Sequence, residues 1–302
     1  MRILLTGAFK YTQEQLQSIN KLDVEVYFLQ QEKESLPVPA SSIDAVVCNG
    51  LFLYHPLDEF TSLKYIQLTS AGFDRVPLDA IKEKGIIINN ARGVYSIPMA
   101  EWVVGRILEH FKHFRLFNIS QQNKEWNKDR GVKEINGTKS AIIGAGNIGQ
   151  EVAKRLSVFG SIVTGYDVSL CNRPFFEKVH HVLALSTEVN SYDVIVLTAP
   201  LTDETKHMIS KTILESMKQD ALLVNVARGG LVDTDALIEV LKERPDMFAV
   251  LDVFEEEPLT PDNMLWSLPN IVVSPHNSFV SDRNNERMFS VIYNNFKQYL
   301  EK

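Results

Sequence analysis

The stretch Ser140-Ala-Ile-Ile-Gly144-Ala-Gly146-Asn-Ile-Gly149-Gln-Glu-Val-Ala-Lys-Arg-Leu156 decides the fold. Glycines spaced G-x-G-x-x-G arise by chance, so the context carries the reading. These follow an apolar run and open a segment with apolar residues at Val152, Ala153 and Leu156, the spacing of a helix laid on a sheet. A second apolar run then ends at Asp167. Each piece has a mechanical use. Gly144 permits the tight strand-to-helix turn, Gly146 lets the backbone approach a pyrophosphate, and Gly149 permits close helix–strand packing. The helix N-terminus attracts the anion. Asp167 accepts hydrogen bonds from adenosine ribose hydroxyls and repels a 2′-phosphate, which favours NAD over NADP. Arg173 reads as a solvated loop residue.

Short apolar runs rich in β-branched residues extend the pattern in both directions. Before the motif they are Ile3–Thr6, Val24–Leu29, Ala45–Cys48, Tyr65–Thr69 and Ile86–Asn89. From the motif onward they are Ser140–Ile143, Ile162–Tyr166, Val194–Thr198, Leu222–Val226, Phe248–Leu251 and Ile271–Val273. Runs this short and apolar on both faces suit parallel strands buried between helices. Alternation with helical stretches makes the class α/β with open parallel sheets, and the number of runs calls for two of them. Between the two sets, Ser96–Arg115 predicts one long helix at the joint, with Ser96 as N-cap and Pro98 in the first turn. The polar stretch Ser120–Gly137, with its single Trp126, reads as an exposed arm suited to a subunit contact. His180 and His181 read as part of a solvated connection.

Composition sets the outer limits. At 45% hydrophobic and 23% charged, the 302 residues match a globular protein and exclude disordered, collagenous and coiled-coil classes. A net charge of −7 gives no reservoir of positive charge for nucleic acid. Two cysteines, Cys48 and Cys171, make no disulfide framework and no metal spacing; Cys48 sits in an apolar run and reads as core. His110 and His113 share a helix without carboxylate or thiolate company, so no metal is expected and both read as surface or interface histidines. No run approaches a membrane span, and the expectation is a cytoplasmic, soluble chain.

Four segments place chemistry at strand ends, where open α/β sheets bind ligands. They are Pro200–His207, Asn225–Gly230, Asp252–Pro258 and Pro275–Ser278. Three bring an ionisable residue: Arg228, an acid within 255–257, and His276. A guanidinium can bind a substrate carboxylate or polarise an oxo group. A histidine can give a proton to a forming alkoxide or take one from a hydroxyl. A carboxylate beside the ring fixes its tautomer and favours the protonated form. With a nicotinamide, this describes hydride transfer at C2 of a 2-oxo or 2-hydroxy acid.

Gly144-Ala-Gly-Asn-Ile-Gly149, Asn225-Val-Ala-Arg228-Gly, Asp252-Val-Phe-Glu-Glu-Glu257-Pro and Pro275-His276 resemble signatures of the NAD-dependent D-2-hydroxyacid dehydrogenase family. Thr69-Ser-Ala-Gly72-Phe-Asp74 and Met99-Ala-Glu101 resemble its N-terminal signatures, so the likeness spans nearly the whole chain. The resemblance implies that His276 is the acid/base, Glu257 its partner, and Arg228 the binder of carboxylate and carbonyl. It implies substrate contacts at Ser70, Ala71 and Gly72. It places Asn147 and Ile148 at the pyrophosphate, Asp167 at the ribose, Pro200 near the adenine and Thr205 near the phosphates. Val226, Ala227, Arg228 and Asp252 fall around the nicotinamide carboxamide. It implies a Rossmann NAD-binding domain, 94–275, inserted into a discontinuous flavodoxin-like substrate domain, 1–93 and 276–302. It also implies a homodimer.

Departures from the family pattern concern substrate identity. Asn277-Ser278-Phe279 follows the histidine, Arg75 stands after Asp74, and Arg92 precedes Gly93. The loop Asn49-Gly-Leu-Phe52-Leu-Tyr54 lacks the Arg-Ser that resembles phosphoglycerate and hydroxypyruvate enzymes, and its apolar character points to an uncharged substrate tail. A phosphoglycerate or hydroxypyruvate/glyoxylate reductase-type member is the alternative within the family. Outside it stands a non-catalytic NAD-sensing protein, which would have no use for a proton donor.

Overall fold

Strands without a polar face need cover on both sides, which helices flanking a parallel sheet supply. In the computed structural model, which describes residues 1–301, the chain divides into two units. One holds Met1–Tyr95 and the residues from Ser281 onward; the other is Ser96–Val280, so His276 belongs to the second.

The first unit has strands β1 (Arg2–Thr6), β2 (Glu25–Leu29), β3 (Ala45–Cys48), β4 (Tyr65–Leu68) and β5 (Ile87–Asn89). All run parallel in the order β2-β1-β3-β4-β5, which reverses direction between β1 and β3. Successive side chains point to opposite faces. Ile3, Leu5, Ala45 and Val47 accordingly pack with Ile19 of α1 (Gln13–Asn20) and with Met288, Ile292 and Phe296 of the C-terminal helix Asn284–Leu300. Leu4, Val46, Cys48 and Ile66 pack with Ile81 of α2 (Leu78–Glu83) on the other face. Thr12 caps α1 in a reciprocal capping box with Gln15.

The second unit opens with α3 (Ser96–Phe111) and α4 (Phe114–Gln122). Then follow β6 (Lys139–Ile143), α5 (Asn147–Val158), β7 (Ile162–Asp167), β8 (Lys178–His181) and α6 (Leu185–Glu188). The rest comprises β9 (Val194–Leu197), α7 (Lys211–Ser216), β10 (Leu222–Asn225), α8 (Thr234–Glu243), β11 (Phe248–Leu251) and β12 (Ile271–Val273). The order is β12-β11-β10-β9-β6-β7-β8, all parallel. Ile143, Ile195, Leu223 and Ala249 meet Leu214 of α7 and Leu237 of α8 on one face, while Ile142, Val196, Val224 and Val250 are buried on the other.

Three sequence expectations are corrected. The helix expected over 96–115 starts at Ser96 itself and stops at Phe111. His113 takes a left-handed backbone (φ 52°) before α4 begins. The break is held by a distant residue, since His113 Nδ1 lies 2.6 Å from Asp129 Oδ2. His110, read as a surface or interface histidine, is half-buried with its ring on Phe248 of its own unit. His180 and His181 lie in β8, an edge strand rather than a connection, where His180 pairs with Glu188. No residue of this edge strand is fully buried, and Lys178-Val-His-His181 accordingly lacks the apolar run that marks the others. Trp126 is 93% exposed, as the arm reading requires. Among the described residues no group of three or more His, Cys, Asp or Glu could hold a metal. No described helix is long and apolar enough to cross a membrane.

Candidate active site

Six strands of the seven-stranded sheet deliver candidate residues to one edge. The glycine loop follows β6, Asp167 ends β7, and Pro200 and Thr205 follow β9. Val226–Arg228 follow β10, Asp252 and Glu257 follow β11, and His276 follows β12. Arg228, Glu257 and His276 thus come from three adjacent strands. Ser70, Ala71 and Gly72 follow β4 in the first unit, where Ser70 Oγ donates to the Gly72 carbonyl (2.9 Å).

Gly144 has φ +99°, and a Cβ there would lie 2.6 Å from the Ala199 nitrogen, so no other residue fits without displacing backbone. Gly149 is buried against the Gly144 carbonyl. At Gly146 a Cβ would meet nothing within 4 Å, and no side chain caps α5 at this N-cap position. A helix N-terminus opening on clear space without a side-chain cap fits a phosphate. Ala145 N–H donates to Asp167 Oδ2 and Ser169 N–H to Oδ1, both at 2.9 Å, fixing the carboxylate beside the turn. Thr205 Oγ1 accepts from Thr202 N–H (2.7 Å) and donates to the Pro200 carbonyl (2.8 Å), closing its loop on itself. Asn147 and Ile148 form the first turn of α5. These residues fit a dinucleotide.

His276 Nδ1 lies 2.8 Å from Glu257 Oε2, and Glu257 Oε1 accepts the Phe254 N–H at 3.0 Å. The carboxylate is therefore oriented by backbone and the imidazole by the carboxylate. Pairing through Nδ1 puts a proton there and leaves Nε2 for a reacting oxygen. Of the three consecutive acids, Glu255 turns elsewhere: it meets His207 Nε2 at 2.6 Å and the Thr234 N–H at 3.2 Å. Burial pushes the Glu255 carboxyl up, but the Thr234 and His207 hydrogen bonds together bring it below its ordinary value.

Arg228 is half-buried, and its guanidinium donates to the Ala227 carbonyl at 2.8 Å. A Cβ on Gly229 would collide with the Phe254 carbonyl, so the Arg228 loop rests directly on the loop that carries Glu257. Three polar residues that motif spacing did not flag for this purpose shape these turns. Buried Asn225 accepts the Ala227 N–H (3.0 Å) and donates to the Arg228 carbonyl (2.9 Å). Thr198 Oγ1 donates to the Gly144 carbonyl at 2.7 Å. Asp252, fully buried, accepts the N–H groups of Asn277 (2.9 Å) and Ser278 (2.8 Å). The available signal is a polar residue closing an apolar strand.

Comparison with known proteins agrees with this layout. The sequence profile described as D-isomer specific 2-hydroxyacid dehydrogenase, NAD binding domain, matches residues 104–278, more than half of the chain. The chain is 34% identical to a hydroxypyruvate reductase of Thermotoga maritima over 85% of each protein. It is 35% identical to a D-3-phosphoglycerate dehydrogenase of Methanocaldococcus jannaschii over 81% of this chain, but spans only 47% of that protein. A D-isomer specific 2-hydroxyacid dehydrogenase family protein of Aeromonas salmonicida has a similar solved structure. Its TM-score is 0.82 at 28% identity, covering 99% of this chain and 96% of that one. The chain belongs to the D-isomer specific 2-hydroxyacid dehydrogenase family and is an NAD-dependent oxidoreductase.

Proposed function

We propose that the enzyme transfers a hydride between NAD(H) and C2 of a small D-2-hydroxy acid or its 2-oxo partner, with an uncharged tail on the substrate. The His276–Glu257 contact of 2.8 Å carries the reading. A carboxylate-oriented imidazole at a ligand-binding sheet edge is suited to give a proton to the forming C2 alkoxide and to take it back in oxidation. Arg228 binds the substrate carboxylate and polarises the carbonyl, and backbone groups of Ser70, Ala71 and Gly72 also hold the carboxylate. Bound NADH supplies the hydride. Val226, Ala227 and Asp252 flank the nicotinamide. Asn147 and Ile148 receive the pyrophosphate, and Pro200 and Thr205 line the adenosine side. Asp167 selects NAD over NADP. Residues 1–95 with the C-terminal helix act as the substrate domain, and 96–280 as the cofactor domain.

The enzyme works as a homodimer in the cytoplasm. Phe114, Leu116 and Ile119 on α4 are 47–49% exposed and Trp126 is 93% exposed, apolar surface suited to contact with a second copy. Both cysteines are free thiols, as suits a reducing compartment. The test of the reaction is consumption of NADH with pyruvate, 2-oxobutanoate, branched-chain 2-oxo acids, glyoxylate and hydroxypyruvate. Turnover of one or more is expected; NADH binding without any turnover overturns the proposal.

A further inference from the structure

The first unit's sheet changes direction between β1 and β3, and at such a switch point the loops diverge and leave a crevice where parallel sheets take ligands. Here the crevice is lined by donors. The Thr6 hydroxyl ends β1, and the N–H groups of Asn49 and Gly50 follow β3. All three are directed at one group, the carboxylate of Glu32. Thr6 Oγ1 donates to Oε1 at 2.8 Å, Asn49 N–H to Oε1 at 2.6 Å, and Gly50 N–H to Oε2 at 2.7 Å. Adjacent backbone N–H groups and a hydroxyl make a cradle for an anion, and the chain has filled it with its own.

The cradle adjoins the segment proposed to hold the substrate. Thr69 N–H donates to the Cys48 carbonyl at 2.9 Å, so Asn49 and Ser70 leave the sheet side by side. A substrate anchored by its carboxylate at Ser70–Gly72 has the end of β3 as its neighbour. Beside Glu32 lies a pocket of about 290 Å³, lined by Gly7, Ala8, Gln30, Lys33, Asn49 and Tyr54 among others. Lys33 in this lining and Arg75, near Gly50, are exposed and screened by water. Glu32 is half-buried and fixed at the crevice itself.

We infer that Glu32 is a specificity-determining residue: its carboxylate occupies the anion cradle at the β1/β3 crevice and turns away substrates whose tail bears a second negative charge. The inference rests on the 2-oxo acid reading and deepens it by naming the tail class. A carboxylate or phosphate tail would meet a like charge where it would otherwise find three donors. A short uncharged tail meets no such opposition.

The test compares 2-oxobutanoate with oxaloacetate, which differ in a methyl against a carboxylate, as NADH-linked kcat/KM. The wild-type enzyme is expected to favour 2-oxobutanoate by about tenfold or more. Glu32→Gln is expected to shrink that preference by about tenfold, mainly through a gain with oxaloacetate. Thr6→Val, which removes one donor and keeps the carboxylate, is expected to retain it. Equal wild-type kcat/KM for the two substrates overturns the inference, and that measurement needs no variant. An unchanged preference in Glu32→Gln with wild-type thermal melting also overturns it. Failure to turn over any 2-oxo acid overturns the underlying functional reading instead.

Discussion

The backbone N–H of His276 donates to the carbonyl of Asp252 at 2.8 Å, while the Asp252 carboxylate holds the next two N–H groups, of Asn277 and Ser278. His276 has φ +51°, a left-handed backbone that a non-glycine residue keeps only when its surroundings impose it. A fully buried carboxylate at the base of the turn does so. The His276 ring, proposed to donate the proton, is thus fixed from two sides, its side chain by Glu257 and its backbone by Asp252.

Asp252→Asn turns one acceptor oxygen into an NH₂ facing an N–H donor. The expected loss of stability is about 1–3 kcal/mol, the cost of leaving buried polar groups unpaired. The expected loss of kcat is about tenfold or more, through a displaced His276. Urea unfolding and steady-state kinetics check both. An unchanged kcat beside a raised KM for NADH would assign Asp252 to the cofactor alone.

Asp167 is held beside the glycine turn by Ala145 and Ser169 N–H groups. Asp167→Ala should weaken NADH binding and raise the relative affinity for NADPH by about tenfold, as a repelling carboxylate is removed. Fluorescence titration of both reduced cofactors measures it. An unchanged ratio contradicts the ribose role.

His110 gives the fold a pH dependence with a definite sign. Burial, then the charges of Lys133 and His113, push its pKa from 6.5 down to about 4, against a small opposing pull from Asp220. The unfolded chain therefore binds this proton first as pH falls, and stability drops across the window from 6.5 to about 4. His110→Gln should flatten that part of the profile. Urea midpoints compared at neutral pH and near the lower end of the window should converge in the variant. An equal drop in both proteins contradicts the assignment.

Trp126 and Ile119 are proposed to meet a second copy. Replacing both with Glu should shift the enzyme from dimer to monomer in light scattering at micromolar concentration. A wild-type protein that is already monomeric contradicts the dimer.

Legibility in the sequence followed the physics of each element. Strands announced themselves as apolar runs, edge strands such as β12 included, whereas β8, with a single apolar residue and none fully buried, did not. The apolar period runs on through Lys112 and His113, so the break after α3 is invisible locally; it depends on Asp129, far along the chain. Glu257 and His276 were readable because motif and strand end coincide. The grips of Asp252 and Glu32 were not, because each needs two or three loops brought together by strand register.

The most direct measurement is the rate of NADH oxidation with the best 2-oxo acid substrate, compared between wild type and His276→Ala. Loss of general acid catalysis should lower kcat by about 10²–10⁴ while NADH binding, read by fluorescence, stays intact. A variant that binds NADH and turns over at near the wild-type kcat would contradict the central claim.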